Sequence, residues 1–120
     1  MRHAALARGW CEVAATLRPG LQYREVAAHC VAAIRARGFA DFSLALPRSI
    51  GLAPCDDPLP MTERGPQPGD LRLEPGLVLE VELPYSELGW GSMQLADTLL
   101  VTADGCEPLT SMQTDLLVLP

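Results

Sequence analysis

Apolar residues recur at three- and four-residue steps through the first third of the chain. Leu6, Trp10, Val13 and Leu17 follow that spacing within the alanine-rich residues 3–17, which predicts a helix with one buried stripe. Arg18-Pro19-Gly20 stops it, because proline disfavours helical geometry in the residue before it and glycine frees the turn. A second helix is predicted from about Tyr23 to Arg37. Its stripe is Val26, Cys30 and Ile34, with Ala27, Val31 and Ala33 beside it, and Gly38 closes it in the left-handed cap position. The two helices pair antiparallel with one shared apolar side.

After Phe39 the period falls to two. Phe42-Ser43-Leu44-Ala45-Leu46 reads as a strand leading into a Pro47-Arg48 corner. Residues 53 to 76 then hold six of the eleven prolines, which excludes helix and central strand there and predicts a long loop or flap. Leu77 to Leu83 alternates cleanly: Leu77, Leu79, Val81 and Leu83 share one face, and Val78, Glu80 and Glu82 share the other. A further strand pair, near Met93–Thr102 and Cys106–Leu109, is joined by Ala103-Asp104-Gly105, where Asp-Gly is expected to supply positive backbone angles. Asp115 to Leu119 is either a last strand or a packed tail. Two helices followed by an antiparallel sheet make the fold class α+β, in one domain covering residues 1–120.

Composition narrows the partners. At 48% hydrophobic, 120 residues can bury a core of ordinary size without disulfides or metal. Lys plus Arg number 9 against 15 Asp plus Glu, a net charge of -6 that repels phosphate backbones and anionic lipid, so neither nucleic acid nor a membrane is an expected partner. Cys11, Cys30, Cys55 and Cys106 have no Cys-x-x-Cys spacing, and the only histidines, His3 and His29, fall on the predicted helices; buried reduced thiols are expected. The start of the chain has no uninterrupted apolar core for a signal peptide, and no run approaches the roughly 18 apolar residues that would span a bilayer. The expected location is the cytoplasm.

The order and spacing of several short segments carry more information. They are Arg48-Ser49-Ile50-Gly51-Leu52, Cys55-Asp56-Asp57-Pro58, Gly76-Leu77-Val78-Leu79-Glu80-Val81-Glu82, and Ala96-Asp97-Thr98-Leu99-Leu100-Val101-Thr102 running on through Gly105 to Leu109-Thr110. Together they resemble the second half of the pita-bread metallopeptidases: methionine aminopeptidase, aminopeptidase P, prolidase and creatinase. The resemblance implies half of a pita-bread fold, two amino-terminal helices packed on an antiparallel sheet. In the family this unit follows an amino-terminal half that supplies two Asp ligands and much of the substrate pocket, and that half is not seen in this sequence. Two divalent ions there sit among two Asp, one His and two Glu.

Position by position, the resemblance places Arg48 at the ligand histidine and Ala96 at the last ligand glutamate, while Glu82 keeps a ligand's identity. One carboxylate cannot hold a hard divalent ion, and a permanently protonated guanidinium repels it, so no metal and no cofactor are expected. Arg48 can instead serve as counter-charge for Glu82 and Glu80, or point to solvent; the first follows from the several kcal/mol that an unpaired buried carboxylate costs. Cys55 stands where the family has a substrate-contacting histidine and Asp56 where an acid follows it. Cys55 reads as a core or loop thiol or, with Arg48 depressing its pKa, a nucleophile. Leu44 also stands where aminopeptidase P and prolidase carry a histidine. Trp10 and Trp90 read as packing residues.

The ligand-binding candidates are therefore Arg48, Cys55, Asp56, Glu80 and Glu82, with no catalytic residue assigned. Two functions from different classes follow. One is a non-catalytic binding or interaction protein, a homodimer whose cleft suits a small carboxylate or peptide end, as with the pita-bread domains of some histone chaperones that bind peptides without cutting them. The other is an Xaa-Pro peptidase-like or creatinase-like hydrolase completed by a second chain.

Overall fold

The computed structural model describes residues 2–52 and 72–111; most of the proline-rich stretch, with Cys55 and Asp56, and the Asp115–Leu119 segment lie outside them. Helix α1 spans Arg2–Thr16 and α2 spans Tyr23–Arg35. Leu6, Trp10 and Val13 from the first, Leu17 just past its end, and Val26, Cys30 and Ile34 from the second are all buried, so both apolar stripes pack as the spacing predicts. Gly38 follows α2 at φ 100, in the left-handed region.

Two Pro-Gly pairs build the corners. Leu21 N–H donates to the Arg18 carbonyl and Leu77 N–H to the Glu74 carbonyl, closing turns with Pro19 or Pro75 second and Gly20 or Gly76 third. Proline presets the second position, and the third needs the positive φ that these glycines adopt, 88 and 94. Gly20 N–H donates to the Leu73 carbonyl and Leu73 N–H to the Leu21 carbonyl, both at 2.9 Å, so the interhelical turn is bound to the approach to the sheet. Leu73, inside the stretch expected to be loop, is a core residue.

The sheet is antiparallel with strand order β1 (Leu46–Ser49), β2 (Val78–Glu87), β3 (Gly91–Val101) and β4 (Cys106–Pro108). In β2 the expected alternation holds: Leu79, Val81 and Leu83 are fully buried. Leu99 and Val101 of β3 join them, and α1 packs across β3 and β4 while α2 lies by β1.

Three local expectations are corrected. The first strand forms at 46–49, later than Phe42–Leu46, because residues 39–42 are held in a turn: Phe42 N–H donates to the Phe39 carbonyl, and Arg35 Nε donates to the Phe42 carbonyl at 2.6 Å. Pro47 is accommodated because β1 is an edge strand. The β3–β4 connection has four residues, with Gly105 outside the left-handed region. Gly105 N–H donates to Thr102 Oγ1 and Thr102 N–H to the Gly105 carbonyl, so this longer loop closes without the positive angle expected at Gly105. Among the thiols Cys30 is buried, Cys106 half-buried and Cys11 exposed, because Cys11 lies off the apolar stripe of α1.

Candidate functional site

The β1–β2 register sets Arg48 opposite Glu80 and Leu46 opposite Glu82. Since the alternate residues Leu79, Val81 and Leu83 fill the core, Arg48, Glu80 and Glu82 project from the face away from the helices. Arg48 Nη2 lies 3.3 Å from Glu80 Oε2 and contacts Glu82 Oε1. The Arg48 side chain is 27% exposed and that of Glu82 18%, so the guanidinium does not simply point to solvent. Arg48 Nε is buried with no acceptor among the described residues.

The same face continues onto β3, where Ala96 lies opposite Glu82 and Thr98 opposite Glu80. Ala96 is exposed and offers only a methyl group. The donors of this face therefore do not fit a divalent ion: the Glu80 and Glu82 carboxylates are engaged by a fixed cation, Ala96 opposite Glu82 offers no oxygen, and among the described residues no three His, Cys, Asp or Glu gather. His3 and His29 sit on α1 and α2. Leu44, 49% exposed, lines a surface groove of about 460 Å³ with Phe42, Pro84, Tyr85 and Leu88. Cys55 and Asp56 fall outside the described residues.

Two polar arrangements escaped the sequence reading. Asp97 sits opposite Val81 on the helix-facing side and is only 7% exposed. Its Oδ1 accepts from Thr98 N–H and from Thr110 Oγ1, both at 2.7 Å, tying β3 to the segment beyond β4. Asp97 Oδ2 is buried with no partner among the described residues. The available signal was an acid at an inward position of an alternating strand.

The second arrangement lies at the tip of the β2–β3 hairpin. Arg2 donates to both Glu87 oxygens, at 2.8 and 2.7 Å, and the Tyr85 hydroxyl donates to Glu87 at 3.0 Å. Arg2, then Tyr85, hold the Glu87 carboxyl below its ordinary range by stabilising its charged form. Arg2 also lies 5.0 Å from the centre of the Trp90 ring. Trp10 is a core residue as expected, whereas Trp90 is 45% exposed, with Tyr85 and Arg2 near its ring.

A family profile described as metallopeptidase family M24 matches residues 2–103. No curated protein matches the chain's sequence. Among solved structures, the chain is similar to an Xaa-Pro dipeptidase from Bacillus anthracis (25% identity, TM-score 0.76), over 98% of this chain and 32% of that one. It is also similar to dipeptidase PepE from Mycobacterium ulcerans (21%, TM-score 0.73), over 97% of this chain and 30% of that one. Prolidase from Pyrococcus furiosus gives 20% identity and a TM-score of 0.68, over 91% of this chain and 31% of that one. The chain thus spans about a third of the length of each. The helices on a four-stranded sheet match the pita-bread structures of these proteins over that third. By the extent of the profile match and the shared fold, the chain belongs to metallopeptidase family M24.

Proposed function

We propose that the chain is a non-catalytic relative of the family's peptidases, a cytoplasmic homodimer that binds a small carboxylate or peptide end in a cleft beside Arg48. The observation that carries this reading is the Arg48 guanidinium set against Glu82 and Glu80 on the face where relatives need an imidazole and a second carboxylate. Among the described residues of that face no histidine stands ready to activate a hydrolytic water. The ligand chemistry follows from Arg48 Nε: a buried N–H without an acceptor costs about 1–3 kcal/mol, and a ligand carbonyl or carboxylate oxygen removes that cost. Half-buried Leu46, Val78 and Leu100 share the face, and a second copy of the chain is the simplest cover for them, twofold dimers being the commonest assembly.

Calorimetric titration with short peptides, beside an Xaa-Pro dipeptide hydrolysis assay with added manganese, tests the proposal. Binding without hydrolysis is expected, weakened roughly tenfold in Arg48→Met as one charge-assisted hydrogen bond is lost. Turnover by the purified chain, or a peptide affinity indifferent to Arg48→Met, rejects it. Sedimentation shows whether the chain pairs.

A further inference from the structure

We infer that Arg48 is a tethered substitute for a divalent ion, so that the sheet carries its own cation and this face holds its geometry without metal. Glu80 and Glu82 lie two residues apart on one strand face, about 7 Å along β2. Arg48, set in register on β1, reaches both through one nitrogen. Left alone, two carboxylates only partly open to water would repel one another, and each would bear a desolvation cost. The guanidinium supplies a counter-charge covalently tied to β1, which cannot diffuse away.

The charge arithmetic of the face agrees. Against the family pattern, arginine for a neutral imidazole adds one positive charge, and alanine for a glutamate removes one negative charge. The two changes at 48 and 96 together add two units of positive charge to this face, as many as one of the two ions of the family site carries. They also act on one place: Glu82 lies between β1 and β3, with Arg48 beside it from one strand and Ala96 opposite it on the other. The guanidinium fastens β1, a four-residue edge strand, to β2 through side chains as well as through the backbone ladder.

The test is metal analysis and thermal unfolding of the wild type, Arg48→Ala and Arg48→Lys, each with manganese and with a chelator. The wild type and Arg48→Lys are expected to retain less than a tenth of an equivalent of metal after dialysis and to unfold at the same temperature in manganese and in chelator. Arg48→Ala, its two carboxylates uncovered, is expected to unfold at a lower temperature and to regain about 3 °C or more in millimolar manganese. Stoichiometric manganese on the wild type overturns the inference, as does an Arg48→Ala protein as stable as the wild type and indifferent to metal. If Arg48→Ala does not fold, the wild-type and Arg48→Lys titrations decide. A wild type that binds manganese but cleaves no peptide overturns this substitution and leaves the non-catalytic proposal standing.

Discussion

The two faces of the β2–β3 hairpin are made from alternate residues of the same strands and behave as two different materials. Toward the helices, Leu79, Val81, Leu83, Leu99 and Val101 form a closed apolar layer. Away from them, Glu80, Glu82, Ala96 and Thr98, with Arg48 of the neighbouring β1, are partly or fully open to solvent, and three of the five carry charge. Backbone pairing and the apolar layer specify the fold, so residues of the outer face can change while the sheet keeps its register.

The sharpest way to break that contrast is to cut into each face in turn. Leu79→Ala removes a fully buried side chain from a central strand and is expected to cost about 2–5 kcal/mol in urea unfolding, whereas Thr98→Ala on the outer face stays within about 0.5 kcal/mol. Comparable losses would show that the outer face is a second core. Asp97 is the exception on the apolar side, and Asp97→Ala is expected to cost about 1–2 kcal/mol by leaving Thr98 N–H and the Thr110 hydroxyl without their acceptor; Thr110→Val tests the same link from the other end.

The thiols report the contrast without changing the fold. Burial pushes the Cys30 thiol up to about 12, so thiol reagents at pH 8, with sites mapped by mass spectrometry, should label Cys11 readily and Cys30 only on unfolding. Because the folded thiol is harder to ionise than the unfolded one, its contribution to stability is complete below about pH 9 and declines as pH rises toward 12. Smallest is the rim. The Glu87 carboxyl is held low, so the Arg2–Glu87 contribution is present at neutral pH and lost as pH falls through the acid range. Added salt should erase the difference between wild type and Glu87→Gln, since the pair is exposed.

What could be read in the sequence follows the same division. The helices and β2 were legible because Leu6, Trp10, Val13 and Leu17, and then Leu79, Val81 and Leu83, repeat at the period of the element that buries them. The start of β1 was not legible: Phe42 and Ala45 are buried by packing after a turn, so their apolar character did not signify a strand. Arg48 and Glu82 could be placed from short motifs, but their contact depends on a cross-strand register that local pattern does not encode. Asp97 and the Arg2–Glu87 pair stayed hidden for the same reason, each joining residues far apart along the chain or on different elements.

The unequal strand lengths have a mechanical consequence. The middle strands run 10 and 11 residues, while the flanking ones run four and three, and β1 reaches only as far as Glu82 along its neighbour. Beyond that point Pro84 to Glu87 pair with β3 alone as a two-stranded ribbon, with Tyr85 against Phe39 and Phe42 and the tip braced by the first turn of α1 through Arg2. Amide protons along the hairpin should therefore exchange in a gradient, slow beside Leu79 and fast near Ser86, with the Trp90 end opening and closing as a hinged arm while the stapled base stays shut.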